Sequence, residues 1–85
     1  MKPPILEENK CSIVIAKYST GHVMKKDLTI FLSGENEQDV FQVFDNLNTA
    51  KEFALQLIKS NPEFECSILN HDGVHIVTFD IKGKR

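Results

Sequence analysis

The 85-residue chain has few cysteines, glycines and prolines, and it has no tryptophan. Its two cysteines, Cys11 and Cys66, lie far apart and outside any CxxC motif, so neither a disulfide framework nor a zinc site is predicted. Three prolines and four glycines are too few to favour long disordered segments. The longest apolar run, residues 13–16, is too short to cross a bilayer, and the leading residues lack the apolar core of a signal peptide. We therefore expect a cytoplasmic protein.

A surplus of charge is also absent. Ten Lys and Arg residues face twelve Asp and Glu residues, which gives a net charge of −2 and no electrostatic signature for nucleic acid or acidic membranes. The length fits one domain. We divide the chain into an extended lead-in over residues 1–10, where Pro3 and Pro4 exclude helix, a single domain over 11–81, and a basic tail over 82–85.

Short runs rich in β-branched residues predict three strands in the first half of the chain, over residues 11–18, 28–33 and 40–45. The alternation in the second run would place Leu28, Ile30 and Leu32 on one face and Phe31 on the other. A polar loop over residues 19–27, with Gly21 as its turn point, joins the first two strands.

The apolar period changes from two to about 3.6 after residue 46, which predicts a helix. Its apolar stripe comprises Leu47, Ala50, Phe53, Ala54, Leu57 and Ile58. Asn46 can act as N-cap, although a capping box from Thr49 to Glu52 is an alternative start. Pro62 prevents the helix from continuing.

A hairpin around Asp72-Gly73 is predicted to close the chain. A two-residue turn there would place Leu69 opposite Ile76, and Ile68 opposite Val77. The fold class is then α+β: two layers, an antiparallel-rich sheet in the order β-β-β-α-β-β, and one helix packed on one face.

The histidines of this hairpin, His71 and His75, fall on opposite faces in that register, so we predict turn and strand roles and no metal site. The acidic segment 33–39 lacks the glycine and the distal glutamate of a calcium loop. We find no nucleophile motif, phosphate-binding loop or cofactor motif, and we assign no catalytic residue. An enzyme of unknown type is an alternative that would need a pocket gathering His75, Asn70 and a carboxylate.

Nucleic-acid binding is another alternative. It would use Lys17, Lys25 and Lys26 in and around the first loop, together with the basic tail at residues 82–85. The two basic regions would have to meet in space. Only Tyr18 is nearby for base stacking, and no known RNA-binding motif is present.

The leading hypothesis comes from the sheet, because one helix covers only one of its faces. The predicted helix-facing residues are Ile13, Ile15, Leu28, Ile30, Leu32, Phe41, Val43, Ile68, Val77 and Phe79. The opposite face is also apolar and carries Val14, Ala16, Tyr18, Phe31, Leu69, Val74 and Ile76, with Phe44 as a further candidate. We expect this face to bind a second copy or another protein partner. The alternative is that the leading residues, with Ile5 and Leu6, fold back over it.

A capped helix with spaced alanines, followed by an Asp-Gly hairpin, resembles small uncharacterised bacterial domains of unknown function. The residues that carry this resemblance are Phe44, Asn46, Ala50, Ala54, Asp72, Gly73 and Ile76. The resemblance covers less than half of the chain and is architectural. It implies a single helix on an antiparallel sheet, and no functional residue is carried over with it.

Overall fold

Seven residues rich in β-branched side chains form the central strand, β1, of the computed structural model, which describes residues 2–85. The strands are β1 (Cys11–Lys17), β2 (Val23–Met24), β3 (Gln42–Phe44), β4 (Phe64–Leu69), β5 (His75–Asp80) and β6 (Gly83–Lys84). The sheet runs β2-β1-β4-β5-β6, and β3 pairs with β1 beyond the end of β2. Every pair is antiparallel. One helix packs on this sheet, which confirms the α+β prediction.

The helix α1 (Leu47–Ser60) begins at the predicted cap. The Asn46 side-chain oxygen accepts a hydrogen bond from the Thr49 amide at 2.8 Å, which satisfies one of the first free N–H groups of the helix. At the other end, the amide of Asn61 donates to the carbonyl of Leu57 at 2.8 Å, and Pro62 follows. The capping box at Thr49 is therefore not the helix start.

The main core lies between α1 and one face of the sheet. Ala50, Ala54 and Ile58 recur every four residues along α1 and are buried. They pack in one cluster with the odd-numbered residues of β1, including Ile13 and Ile15, which have no or almost no exposure. The small alanines allow the helix to lie close to the sheet, so the β-branched side chains pack densely beneath it.

The predicted strand over residues 28–33 is wrong. Leu28 adopts a left-handed backbone with φ of 68°, and its amide donates to the carbonyl of Lys25. The Asp27 carboxylate accepts hydrogen bonds from both the amide and the hydroxyl of Thr29. These local hydrogen bonds compete with strand pairing, so only Ile30 forms a single bridge to the sheet, at Met24.

The faces predicted for the third strand are reversed. Gln42 lies opposite Ile13, whose side chain faces the helix, so Phe41 and Val43 face away from the helix. Phe44 lies on the helix side, where its ring centroid is 5.1 Å from that of Phe53. Phe44 therefore does not join the helix-free face.

The basic residues at the end of the described chain extend the sheet. Gly83–Lys84 pairs with the end of β5, and Arg85 exchanges two backbone hydrogen bonds of 2.8 Å with Thr78. This sixth strand was not predicted, because it is only two residues long and contains no β-branched residue.

Candidate interaction surface

The turn between β4 and β5 contains three residues, His71, Asp72 and Gly73, and not the predicted two. The Asn70 amide donates to the Val74 carbonyl at 2.8 Å, and the Gly73 amide donates back to the Asn70 carbonyl at 3.0 Å. Gly73 has a φ of 82°, a conformation that glycine adopts without steric cost. A three-residue turn with glycine in this last position is a common hairpin connection.

A β-bulge compensates for the longer turn. Leu69 lies opposite His75, but Ile68 lies opposite Val77, as predicted, so Ile76 is an extra residue in β5. The bulge also changes which side His75 faces. Its Nε2 lies 2.8 Å from the hydroxyl of Thr78, three residues later, which a regular strand would place on the other face.

The bulge directs Ile76 toward a groove on the helix side of the sheet. The groove has a volume of about 430 Å³ and is lined by Lys51, Ile76, Val77, Phe79, Lys84 and Arg85. Regular alternation predicts Ile76 on the helix-free face, and the extra residue of the bulge reverses this parity.

The six predicted interface residues do not form one bare face. Tyr18, Val74 and Ile76 are exposed, with 36%, 60% and 44% of their surface accessible. The other three, Val14, Phe31 and Leu69, are partly buried. The chain itself therefore covers part of the helix-free face.

The covered part of the helix-free face includes Ser12. It faces away from the helix, opposite Val43 and Leu69, yet its side chain is fully buried. Val40 and Phe41 are also buried, but they lie outside the main core cluster. Because Phe41 faces away from α1, the helix-free face has a buried apolar residue of its own beside β3.

The leading residues also fold back onto the domain, although Ile5, one of the two residues expected to cover the helix-free face, stays 74% exposed. The Leu6 amide donates to the His71 carbonyl at 2.9 Å, and the Lys2 amide donates to the Glu37 carboxylate at 2.9 Å. Pro3 packs so closely on Gly73 that a side-chain carbon there would lie 2.8 Å from the proline ring. The lead-in thus joins the β4–β5 turn to the short 3-10 helix, Glu37–Asp39, that precedes β3.

The helix-free face is polar where β4 and β5 meet, around Thr78. The hydroxyl of Ser67 lies 2.8 Å from that of Thr78, which also contacts His75. Such a row of hydrogen-bonded side chains satisfies half-buried polar groups and offers little apolar area to a partner.

Arg85 lies between Glu65 on β4 and Asp80 on β5, two like charges on neighbouring strands. Its guanidinium contacts both carboxylates, with a distance of 3.1 Å to Asp80. A cation between these two largely buried carboxylates offsets their mutual repulsion. Arg85 is consequently held against the sheet by its side chain as well as its backbone.

Lys25, another of the basic residues proposed to contact nucleic acid, also forms an ion pair. The Lys25 ammonium lies 2.6 Å from the Glu35 carboxylate, and this hydrogen bond raises the pKa of Lys25 and lowers the pKa of Glu35. The basic end of the chain approaches the end of β1, since the Lys82 ammonium lies 5.9 Å from the ring centroid of Tyr18.

The residues suggested for an enzyme are not brought together. An open cavity of about 700 Å³ beside the start of α1 is lined by Glu8, Asn70 and His71, but His75 lies on the helix-free face instead. Both thiols are buried and free. Burial raises the pKa of Cys11 and raises that of Cys66 to about 12, so neither thiol is an activated nucleophile.

The described part of the chain has no cluster of three or more histidine, cysteine or acidic side chains that could hold a metal ion. Within residues 2–85, no helix has the length and apolar character needed to span a membrane. Comparison with protein-family models, with curated proteins and with solved structures found no match.

Proposed function

We propose that this chain is a small non-enzymatic interaction module that binds another polypeptide through the exposed apolar residues at the start of β5. We define the β5 surface as the exposed Val74, just before the strand, and Ile76, together with Val77, which is partly buried against the core. The carrying observation is that Ile76 is 44% exposed at the edge of a groove whose wall also includes Val77 and Phe79.

Val74 and Ile76 belong to the predicted interface set, but Ile76 opens onto the helix side of the sheet and not onto the predicted helix-free face. The helix-free face is partly covered, since Ser12 and Phe41 are buried there, and it is polar around Thr78, although Val43 on that face stays 46% exposed. The β5 surface keeps its apolar exposure, and burying it would release about 25 cal/mol per Å² of apolar area. A solitary exposed isoleucine is ordinary, whereas one that continues into an apolar groove favours binding.

A second copy of the chain is the simplest partner. Sedimentation velocity over a wide concentration range tests this case, with Ile76→Glu as the disrupting variant. Ile81→Glu is the matched control, because Ile81 is also exposed but lies at the other end of β5, in the turn to β6. Self-association that Ile76→Glu weakens and Ile81→Glu does not would support the proposal.

A foreign partner is tested by selection from a displayed library of random peptides against the wild-type chain. We expect enriched peptides to lose binding to Ile76→Glu and to keep it for Ile81→Glu. If no peptide is enriched, and the wild type sediments as a monomer at all concentrations, the proposal is wrong.

Nucleic-acid binding is the second candidate, favoured by the contact between Lys82 of the basic tail and the ring of Tyr18, the aromatic residue predicted for base stacking. Its support is limited by the pairing of Lys25 with Glu35 and of Arg85 with Glu65. A salt titration with mixed-sequence single strands tests it, since phosphate contacts weaken steeply as salt rises. Absence of binding at low salt would exclude this function.

A further inference from the structure

The outer edge of β5 is covered along only half of its length. β6 pairs with Phe79 and Asp80, and Arg85 extends this pairing to Thr78. Among residues 2–85, no strand pairs with the outer side of His75–Val77. Three residues of strand span about 10 Å, which is room for a short extended segment in line with β6.

The groove beside this free edge combines apolar and basic side chains. Ile76, Val77 and Phe79 provide apolar wall. Lys51 projects from α1, and Lys84 lies opposite Phe79 on β6, so that both line the groove. Neither lysine makes an ion pair with any carboxylate of the described chain, whereas the neighbouring Arg85 does.

We propose that an extended segment of a partner protein adds to the sheet at His75–Val77, with aliphatic and acidic side chains directed into this groove. This inference rests on the proposed function and specifies the chemistry of the partner. Strand addition supplies main-chain hydrogen bonds, and alternate side chains of the added strand supply specificity. An aliphatic side chain would contact Ile76, and a carboxylate two positions away would reach Lys51 or Lys84.

The competing explanation is protection of the edge. Bulges and lysines at sheet edges prevent unwanted pairing between copies. Protection and selective binding differ in one respect: lysines that only protect the edge exclude every strand, whereas lysines that also recognise a partner accept an acidic strand and reject a basic one.

The test uses the wild-type chain and a synthetic peptide in which threonine alternates with valine or glutamate. Titration is followed by ¹H–¹⁵N NMR. We expect saturable shifts at the amides of residues 74–77, loss of binding when glutamate is replaced by lysine in the peptide, and loss when alternate peptide amides are N-methylated. The double variant Lys51→Gln/Lys84→Gln should bind at least tenfold more weakly, and added salt should weaken binding to the wild type.

No saturable shift with millimolar acidic peptide would overturn the inference, and so would equal binding of the N-methylated peptide. These results are separable from failure of the proposed function. Library peptides that depend on Ile76, but bind the double lysine variant as tightly as the wild type, would leave the interaction module in place and exclude acidic strand addition.

Discussion

Leu69 lies directly opposite His75 across β4 and β5, although the preceding pair, Ile68 and Val77, is separated along the chain by one residue more than a regular hairpin allows. The three-residue turn and the bulge at Ile76 are therefore two irregularities that compensate. Together they keep the apolar pairs Ile68–Val77 and Cys66–Phe79 in register under the helix. As a result Ile76 is an extra residue in β5, and its side chain lines the groove on the helix side.

Substitution of Gly73 should destabilise the fold more than substitution of a glycine with open space around it. In Gly73→Ala, the left-handed backbone is strained and the new methyl group meets Pro3 at 2.8 Å, which displaces the lead-in. We expect a loss of about 1–3 kcal/mol in the free energy of unfolding. Gly34→Ala is the control, because Gly34 also has a positive φ of 94° but has open space around it.

Urea unfolding of both variants separates the two effects. Equal losses for Gly73→Ala and Gly34→Ala would show that backbone strain alone acts, and that the contact with Pro3 contributes nothing. A larger loss at Gly73 should come with faster hydrogen exchange at the Leu6 amide, which donates to His71 in the folded chain.

The cap of α1 gives a second prediction. Asn46→Ala removes the acceptor for the Thr49 amide and hydroxyl, and should lower the free energy of unfolding by about 1 kcal/mol. Asn48→Ala is the control, since Asn48 is exposed in the first turn and no hydrogen bond of its side chain is observed in the described structure. If the control loses as much stability as Asn46→Ala, the capping role is refuted.

The features that the sequence predicted correctly depend on local and repeated signals. The helix was found from its apolar period and from Asn46, and both act within one or two turns of chain. The side that β4 and β5 bury was found from the alternation of Phe64, Cys66 and Ile68. These signals are redundant, so a local irregularity does not hide them.

The features that were missed depend on competition between local hydrogen bonds and strand pairing. The apolar alternation of Leu28–Leu32 is genuine, but Asp27 and Thr29 form a turn instead. At the hairpin, Asn70 was a signal that could have been used, since its side-chain oxygen accepts from the amides of Asp72 and Val74. That arrangement favours a turn beginning at residue 70 and would have moved Ile76 to the groove side.

The stability contributed by the loop that replaces the predicted second strand should decrease at acid pH. The Glu35 carboxylate accepts hydrogen bonds from the Lys25 ammonium and the Leu32 amide, and these lower the pKa of Glu35 below the ordinary value of 4.5. Hydrogen bonds from the hydroxyl and the amide of Thr29 likewise lower the pKa of Asp27. The stability that these groups contribute is complete above their unfolded pKa values and is lost as pH falls through the lower folded values.

Urea unfolding between pH 7 and pH 3 checks this dependence. We expect Glu35→Gln and Lys25→Gln to show a shallower loss of stability than the wild type below about pH 4.5, because each variant removes one partner of the same hydrogen bond. If both variants lose stability with falling pH as steeply as the wild type, the Lys25–Glu35 hydrogen bond is not the source of the pH dependence.

The buried hydroxyls of the helix-free face should respond in opposite ways to removal. Ser12 has a buried hydroxyl oxygen with no hydrogen-bond partner in residues 2–85, so Ser12→Ala should leave stability unchanged or raise it. Thr78→Val keeps the side-chain shape but removes the partner of Ser67 and His75, and should cost about 1–2 kcal/mol. Thermal unfolding followed by circular dichroism compares them; a destabilised Ser12→Ala would show that this hydroxyl is satisfied in solution.

The two thiols should report on opening of the core. Cys66 is fully buried with a pKa raised to about 12, and Cys11 is 2% exposed with its pKa also raised, so little thiolate forms near neutral pH. We expect both to react with a disulfide reagent only as fast as the chain unfolds, and the destabilised Thr78→Val to react faster. Full labelling of two thiols in concentrated urea is the control. Rapid labelling of the native chain, at a rate that does not change with stability, would mean that the layer of α1 over Cys11 and Cys66 opens without unfolding.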